Sequence, residues 1–156
     1  MFLTVHSASG ILIGQTVTNP LWAFFVGLFS HYILDIIPHG DEIKFKSIGI
    51  SELAKLAIID HIFVVLNLLL LFYFKPHLFI TIPIITALIG SMLPDWLYAI
   101  YKLSGKIKSL EWLNNILKPA QKFHRFCHRR IIKYECSFPV GIIIQIITLG
   151  IFWWMI

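Results

Sequence analysis

The 156 residues are 58% apolar and only 13% charged, with a mean hydropathy of +0.81 and a formal net charge of +5. A soluble domain averages about 45–50% apolar and about 25% charged residues, so the composition argues against an ordinary soluble enzyme and for a membrane protein folded as one helical unit, residues 1–156. The two cysteines, Cys127 and Cys136, offer no paired framework for disulfides, and the chain contains no HExxH, Gly-x-Ser-x-Gly or P-loop pattern.

A helix crossing the hydrocarbon core needs about 20 mostly apolar residues. The first apolar segment runs from Leu3 to Thr18 and stops at the Asn19-Pro20 turn. It opens without a basic n-region and carries His6, unlike a cleavable signal peptide. The second, Leu21 to Ile37, ends before Pro38, which cannot continue a helix. The third runs from Leu53 to Phe74, ahead of Lys75-Pro76, and the fourth from Leu78 to Tyr101, with Pro83 as a kink point. Residues 107–118, IKSLEWLNNILK, repeat Ile107, Leu110, Leu113 and Leu117 at helical spacing and read as an amphipathic interfacial helix or a connector packed on the bundle. The last segment, Phe138 to Ile156, carries Trp153 and Trp154, which suit a membrane interface. The expected fold is therefore all-α: a multi-pass membrane bundle of about five membrane helices plus one interfacial helix.

If all five segments cross, the N-terminus and the loops 38–52 and 102–137 share one side, and every Lys and Arg except Lys75 falls there. The positive-inside rule assigns that side to the cytoplasm. The basic balance thus reports topology and contact with anionic lipid, not a nucleic-acid partner.

The same side collects the ionisable groups. His31 and Asp35 are four residues apart on one helical face, and His39 and Asp41 follow at once. His6 with Gly10 and Gly14, Asp60, Asp95 after Pro94, and His124 with His128 come from other stretches at a similar depth. The helix-loosening Pro94 frees a backbone carbonyl beside Asp95. Imidazoles and carboxylates crowded in a low dielectric resist ionisation unless a cation compensates, and mixed His/Asp sets suit zinc, manganese or iron. The expected metal ligands are His6, His31, Asp35, His39, Asp60, Asp95, His124 and His128. They exceed one shell, so some would orient the others, and the count allows one or two ions. Plainer readings stand beside this one: Asp60 and Asp95 as buried helix–helix pairs, His31–Asp35 as an internal hydrogen bond, Asp41 as a turn residue, and Cys127 as a small buried apolar residue.

His6 ahead of GILIG, SHYILDIIPHGD, an acidic residue in the next helix, LPD at a helix end and a late HR…H together resemble the bacterial YdjM-like inner-membrane metal-dependent hydrolases, from about His6 to His128. The family's usual late motif is His-Arg-Gly-x-Thr-His-Ser, whereas this chain reads His124-Arg125-Phe126-Cys127-His128-Arg129. The resemblance implies a multi-pass fold in the bacterial inner membrane and metal-dependent hydrolysis; for the ion, the His/Asp donor set itself suits zinc first, with manganese or iron as alternatives. On that reading Asp41, Asp60 or His128 moves protons. Arg125, Arg129 and Arg130 hold a substrate phosphate, which favours a lipid-linked or phosphate-ester substrate. A metal-ion binding or transport protein, and a non-catalytic membrane assembly subunit, are the alternatives.

Overall fold

The computed structural model describes residues 1–40, 49–130 and 136–156, with the backbone alone for Ile50 and 128–130. Every regular element among them is helical: α1 (Leu3–Thr16), α2 (Pro20–Leu34), α3 (Ile50–Phe74), α4 (Ile82–Ser104), a short 3-10 turn at Lys108–Leu110, α5 (Glu111–Arg130) and α6 (Phe138–Met155). Local chemistry explains the boundaries. The Asn19 side chain accepts from the Leu21 and Trp22 amides at 3.0 and 3.1 Å and caps α2, with Pro20 in its first turn. Thr81 caps α4 in the same way, with Pro83 in the first turn, so Pro83 starts that helix and does not kink it.

Three helices, α3, α4 and α6, are long and apolar enough to cross a membrane, fewer than the five expected. At 14 and 15 residues, α1 and α2 measure only about 21 and 23 Å, short of the roughly 30 Å hydrocarbon core. The segments expected at 3–18 and 21–37 lose their ends to the Asn19-Pro20 turn and to the bend before Pro38. The interfacial helix also differs. It begins at Glu111 and continues through Pro119 to Arg130, so His124 stands on a helix, not in a loop.

α1 is the axis of the bundle, packed against α2, α3, α4 and α6. Its interface with α4 depends on small residues: a Cβ on Gly10 would lie 2.7 Å from Ser91 Oγ and 2.9 Å from Leu88 Cα, and one on Gly14 would strike the Ile84 backbone. The α2–α4 contact uses Gly27 against the Ala87 carbonyl and Gly90 against the Phe24 carbonyl. At one end Ile11, Leu71, Leu78, Ile84 and Ile156 form an apolar cluster. At the other end lie the start of α1 and the end of α2. The exposed surface of α2 and α3 is a run of large apolar side chains, among them Trp22, Phe29, Ile62, Phe63 and Leu69, a composition compatible with a lipid-facing surface.

Candidate metal centre

Five of the expected residues converge. His6 from α1, His31 from α2, Asp35 at the C-cap of α2, Asp95 from α4 and His124 from α5 all face one point. His6 Nε2 lies 3.3 Å from Asp35 Oδ1 and 4.0 Å from Asp95 Oδ2. His31 Nε2 lies 3.1 Å from Asp35 Oδ2 and 3.8 Å from Asp95 Oδ1. His124 Nε2 lies 3.7 and 4.0 Å from the same two oxygens. The His6 and His31 rings stack with centroids 4.1 Å apart and are fully buried, while the Asp95 side chain keeps 26% of its surface exposed. Asp95 is therefore the most exposed side of the cluster.

Local structure orients the donors. His31 Nδ1 sits 2.8 Å from the Ser91 carbonyl. A carbonyl only accepts, so Nδ1 carries the hydrogen, and in the neutral ring the Nε2 lone pair faces the cluster. Pro94 sits inside α4 within a turn of that carbonyl, and its missing amide leaves the neighbouring Gly90 carbonyl without a helical donor and loosens the turn. An imidazole held by a backbone carbonyl through its far nitrogen is the usual support of a metal-bound histidine.

The donors fit a cation. With metal–ligand bonds of about 2.1 Å, ligand atoms stand about 3.0 Å apart at right angles, about 3.4 Å apart at tetrahedral angles and about 4.2 Å apart when opposite. The six histidine–carboxylate separations fall between these limits. Among the described residues, neither ring nitrogen of His6 nor Nε2 of His31 makes a well-directed hydrogen bond, although both Nε2 atoms lie within 3.3 Å of an Asp35 oxygen and such buried groups are normally satisfied. His6, His31 and Asp95 form one group with ligand atoms within 4.8 Å of one another, and His31, Asp35 and His124 form another. His31 belongs to both, so the two groups adjoin.

Other expected residues stand elsewhere. Asp60 serves the start of α1: Oδ2 accepts from the Leu3 amide at 2.8 Å, and Oδ1 accepts from the Thr4 amide at 3.3 Å and from Thr4 Oγ1 at 2.8 Å. α1 has no side-chain cap of its own, so a carboxylate from α3 fills that role. His39 is buried with Nδ1 on the Ile37 carbonyl at 2.8 Å, and its own carbonyl accepts from Gln145; it belongs to neither donor group. Arg125 is exposed on α5. Asp41 lies outside the described residues, as do the side chains of His128, Arg129 and Arg130. His61 donates from Nδ1 to the Ala57 carbonyl and accepts from Trp96 at Nε2, which leaves no lone pair for a metal. Cys127 is buried, and that burial, with Asp35 adding in the same direction, pushes its thiol above the usual range.

Sequence reasoning missed the groups around these donors. The Met1 ammonium donates to Asp35 Oδ1 at 2.7 Å. Tyr32 and Tyr98 flank His124, with ring centroids 6.1 and 5.9 Å away, and Phe123 closes on Tyr32 at 5.2 Å. His31-Tyr32 is adjacent in sequence, but the approach of Tyr98 and Phe123 is set by how α4 and α5 cross.

Depth follows from the helices that carry the cluster. Asp60 lies nine residues inside Ser51 and Asp95 nine residues inside Ser104, the ends of the two candidate spans. Both are therefore about 14 Å from those ends at 1.5 Å per residue. Fold and site together define a class: an all-helical protein with three candidate membrane spans and a buried His/Asp cluster sunk into one end. No family model, curated protein or solved structure matches this chain.

Proposed function

We propose that the protein is a metal-dependent hydrolase of the inner membrane, of the YdjM-like kind that its motifs resemble, with one divalent cation held by His6, His31, Asp35, Asp95 and His124. The observation that carries the reading is the convergence of three imidazole Nε2 atoms and two carboxylates from four helices at 3.1–4.0 Å. A bound cation of this type polarises an ester oxygen and lowers the pKa of water to about 7. Zinc suits the donor set, and so do manganese and iron.

The chain's own residues supply the rest. Stacked and fully buried, His6 and His31 hold their lone pairs in a fixed direction and keep bulk water from the inner face. Asp95, the most open donor, is placed to receive or pass a proton at the substrate edge. A substrate arrives from the α4–α5 side, where Arg125 is exposed, and this favours a phosphate ester carried by a lipid. The charge asymmetry of the sequence supports a cytoplasmic position for this end of the bundle.

The apolar cluster of Ile11, Leu71, Leu78, Ile84 and Ile156 fills the far end of α1. It argues against the transport alternative, which needs a polar route to both sides. The test has two parts. Elemental analysis of the purified full chain should give about one metal per chain. A panel of phosphomonoesters and lipid-linked phosphates should include a substrate whose turnover disappears in Asp35→Ala and Asp95→Ala. Metal without turnover would reject the enzyme and retain the site; no metal in the wild type would reject both.

A further inference from the structure

α5 carries three distinct faces. At 100° per residue, Leu113, Leu117, Gln121 and His124 point toward the bundle and are half-buried or buried. Trp112, Ile116, Phe123 and Phe126 share an arc of about 80° and are each more than half exposed. Lys118, Lys122 and Arg125 share an arc of about 60° beside that apolar stripe and are all exposed. A packed connector needs only two faces, one buried and one wet. An apolar stripe flanked by a cationic one is the pattern of a helix lying in a membrane interface, with rings among acyl chains and ammonium groups among headgroups.

The inward face of this helix holds a donor of the cluster. His124 comes from α5, which packs chiefly on α4 and follows the end of that candidate span. The other four donors come from α1, α2 and α4 in the bundle core. The centre is thus divided between a packed core and a surface helix whose exposed chemistry matches an anionic leaflet.

We infer that α5 couples the centre to the membrane: its docking on anionic lipid headgroups seats His124 and completes the metal site. The inference rests on the metal reading above and adds what controls it. On a neutral leaflet the cationic stripe gains less, α5 swings more freely from its α4 contact, and the cation keeps four donors. Each basic residue near an anionic surface adds attraction that falls off within a Debye length, so the coupling weakens with salt.

The test uses the full chain in vesicles of phosphatidylcholine alone and of phosphatidylcholine mixed with phosphatidylglycerol. Zinc affinity is read by competition with a chromophoric chelator and corrected by protein-free vesicles. Binding about tenfold tighter or more in the anionic vesicles, declining with salt, is expected. The difference should vanish in Lys118→Gln with Lys122→Gln, and in His124→Ala, which should bind weakly in both. Brominated phosphatidylglycerol should quench wild type more than Trp112→Phe, and that difference reports on α5 even in a chain that binds no metal. Equal zinc affinity in the two vesicles, soluble glycerol phosphate substituting for anionic lipid, or Trp112 untouched by the brominated lipid would overturn the coupling and leave the metal reading standing. Absence of zinc binding in both kinds of vesicle would overturn both.

Discussion

His31→Ala is the most informative single substitution, because His31 belongs to both donor groups. Two losses follow from the structure. The first exists without metal: the Ser91 carbonyl loses the donor 2.8 Å away in a fully buried position, worth about 0.5–1.5 kcal/mol for one hydrogen bond. The second appears only with metal. A cation binding the folded state at 100 times its dissociation constant stabilises it by about 2.7 kcal/mol. For a chain of this size each kcal/mol moves Tm by about 2–4 °C, so saturating zinc should raise the wild-type Tm by about 5–11 °C. In His31→Ala the baseline Tm drops by a few degrees and the zinc-dependent rise disappears. Thermal unfolding of the full chain in one fixed detergent, with zinc and with a chelator, measures both. A variant that keeps the wild-type zinc increment would refute the assignment of His31 at the centre, whatever its baseline does.

Asp60→Ala removes the side chain that accepts from the Leu3 and Thr4 amides; it should cost about 2–3 kcal/mol and weaken zinc binding about tenfold without abolishing it, since His6 lies one turn further along α1. Complete loss of zinc at unchanged Tm would instead restore Asp60 as a ligand. Gly27→Val drives a side chain into the Ala87 carbonyl and should cost about 1–3 kcal/mol or more, whereas Gly150→Ala, with nothing within 4 Å, should be neutral or gain up to about 1 kcal/mol; denaturation of the pair checks the α2–α4 contact. Cys127, buried and with its thiol raised, holds less thiolate than a free cysteine at pH 8. Its alkylation should be slower than that of a model thiol, speed up as pH rises, and match the model thiol once the chain is denatured.

What the sequence revealed depended on periodicity and on cost. Each long apolar helix announced itself, because roughly twenty apolar residues in a row have few other uses. His31 and Asp35 were legible because i, i+4 spacing fixes a shared face whatever the tertiary fold. His6, Asp95 and His124 were legible because ionisable groups in an apolar setting are expensive and therefore purposeful. Asp60 met the same criterion and went elsewhere: composition cannot distinguish a carboxylate that joins an imidazole cluster from one that meets the positive end of a helix. The true length of α5 was hidden by Pro119, which normally reads as a stop but sits inside the helix here. Tyr98 near His124 is a product of helix crossing and had no local signature.

The shortness of α1 and α2 explains why the cluster lies where it does. A helix that crosses the whole bilayer delivers its ends to water, where the unpaired amides and carbonyls of its terminal turns are solvated. α1 begins about 14 Å inside the ends of α3 and α4, so its first amides would be orphaned in an apolar environment. Gln145 takes the Phe2 amide at 2.7 Å and Asp60 takes the next two. The end of α2 raises the converse demand, with Asp35 as its C-cap facing the Met1 ammonium. A half-length hairpin therefore requires polar side chains from α3 and α6 at this depth for stability alone. Once that polar pocket exists, the added cost of placing imidazoles in it is much smaller than on a lipid-facing surface. The hairpin thus sets both the depth of the centre and the reason a chain this apolar tolerates one, and lengthening α1 by a turn at its N-terminus should expel the cluster's donors before it disturbs the apolar end.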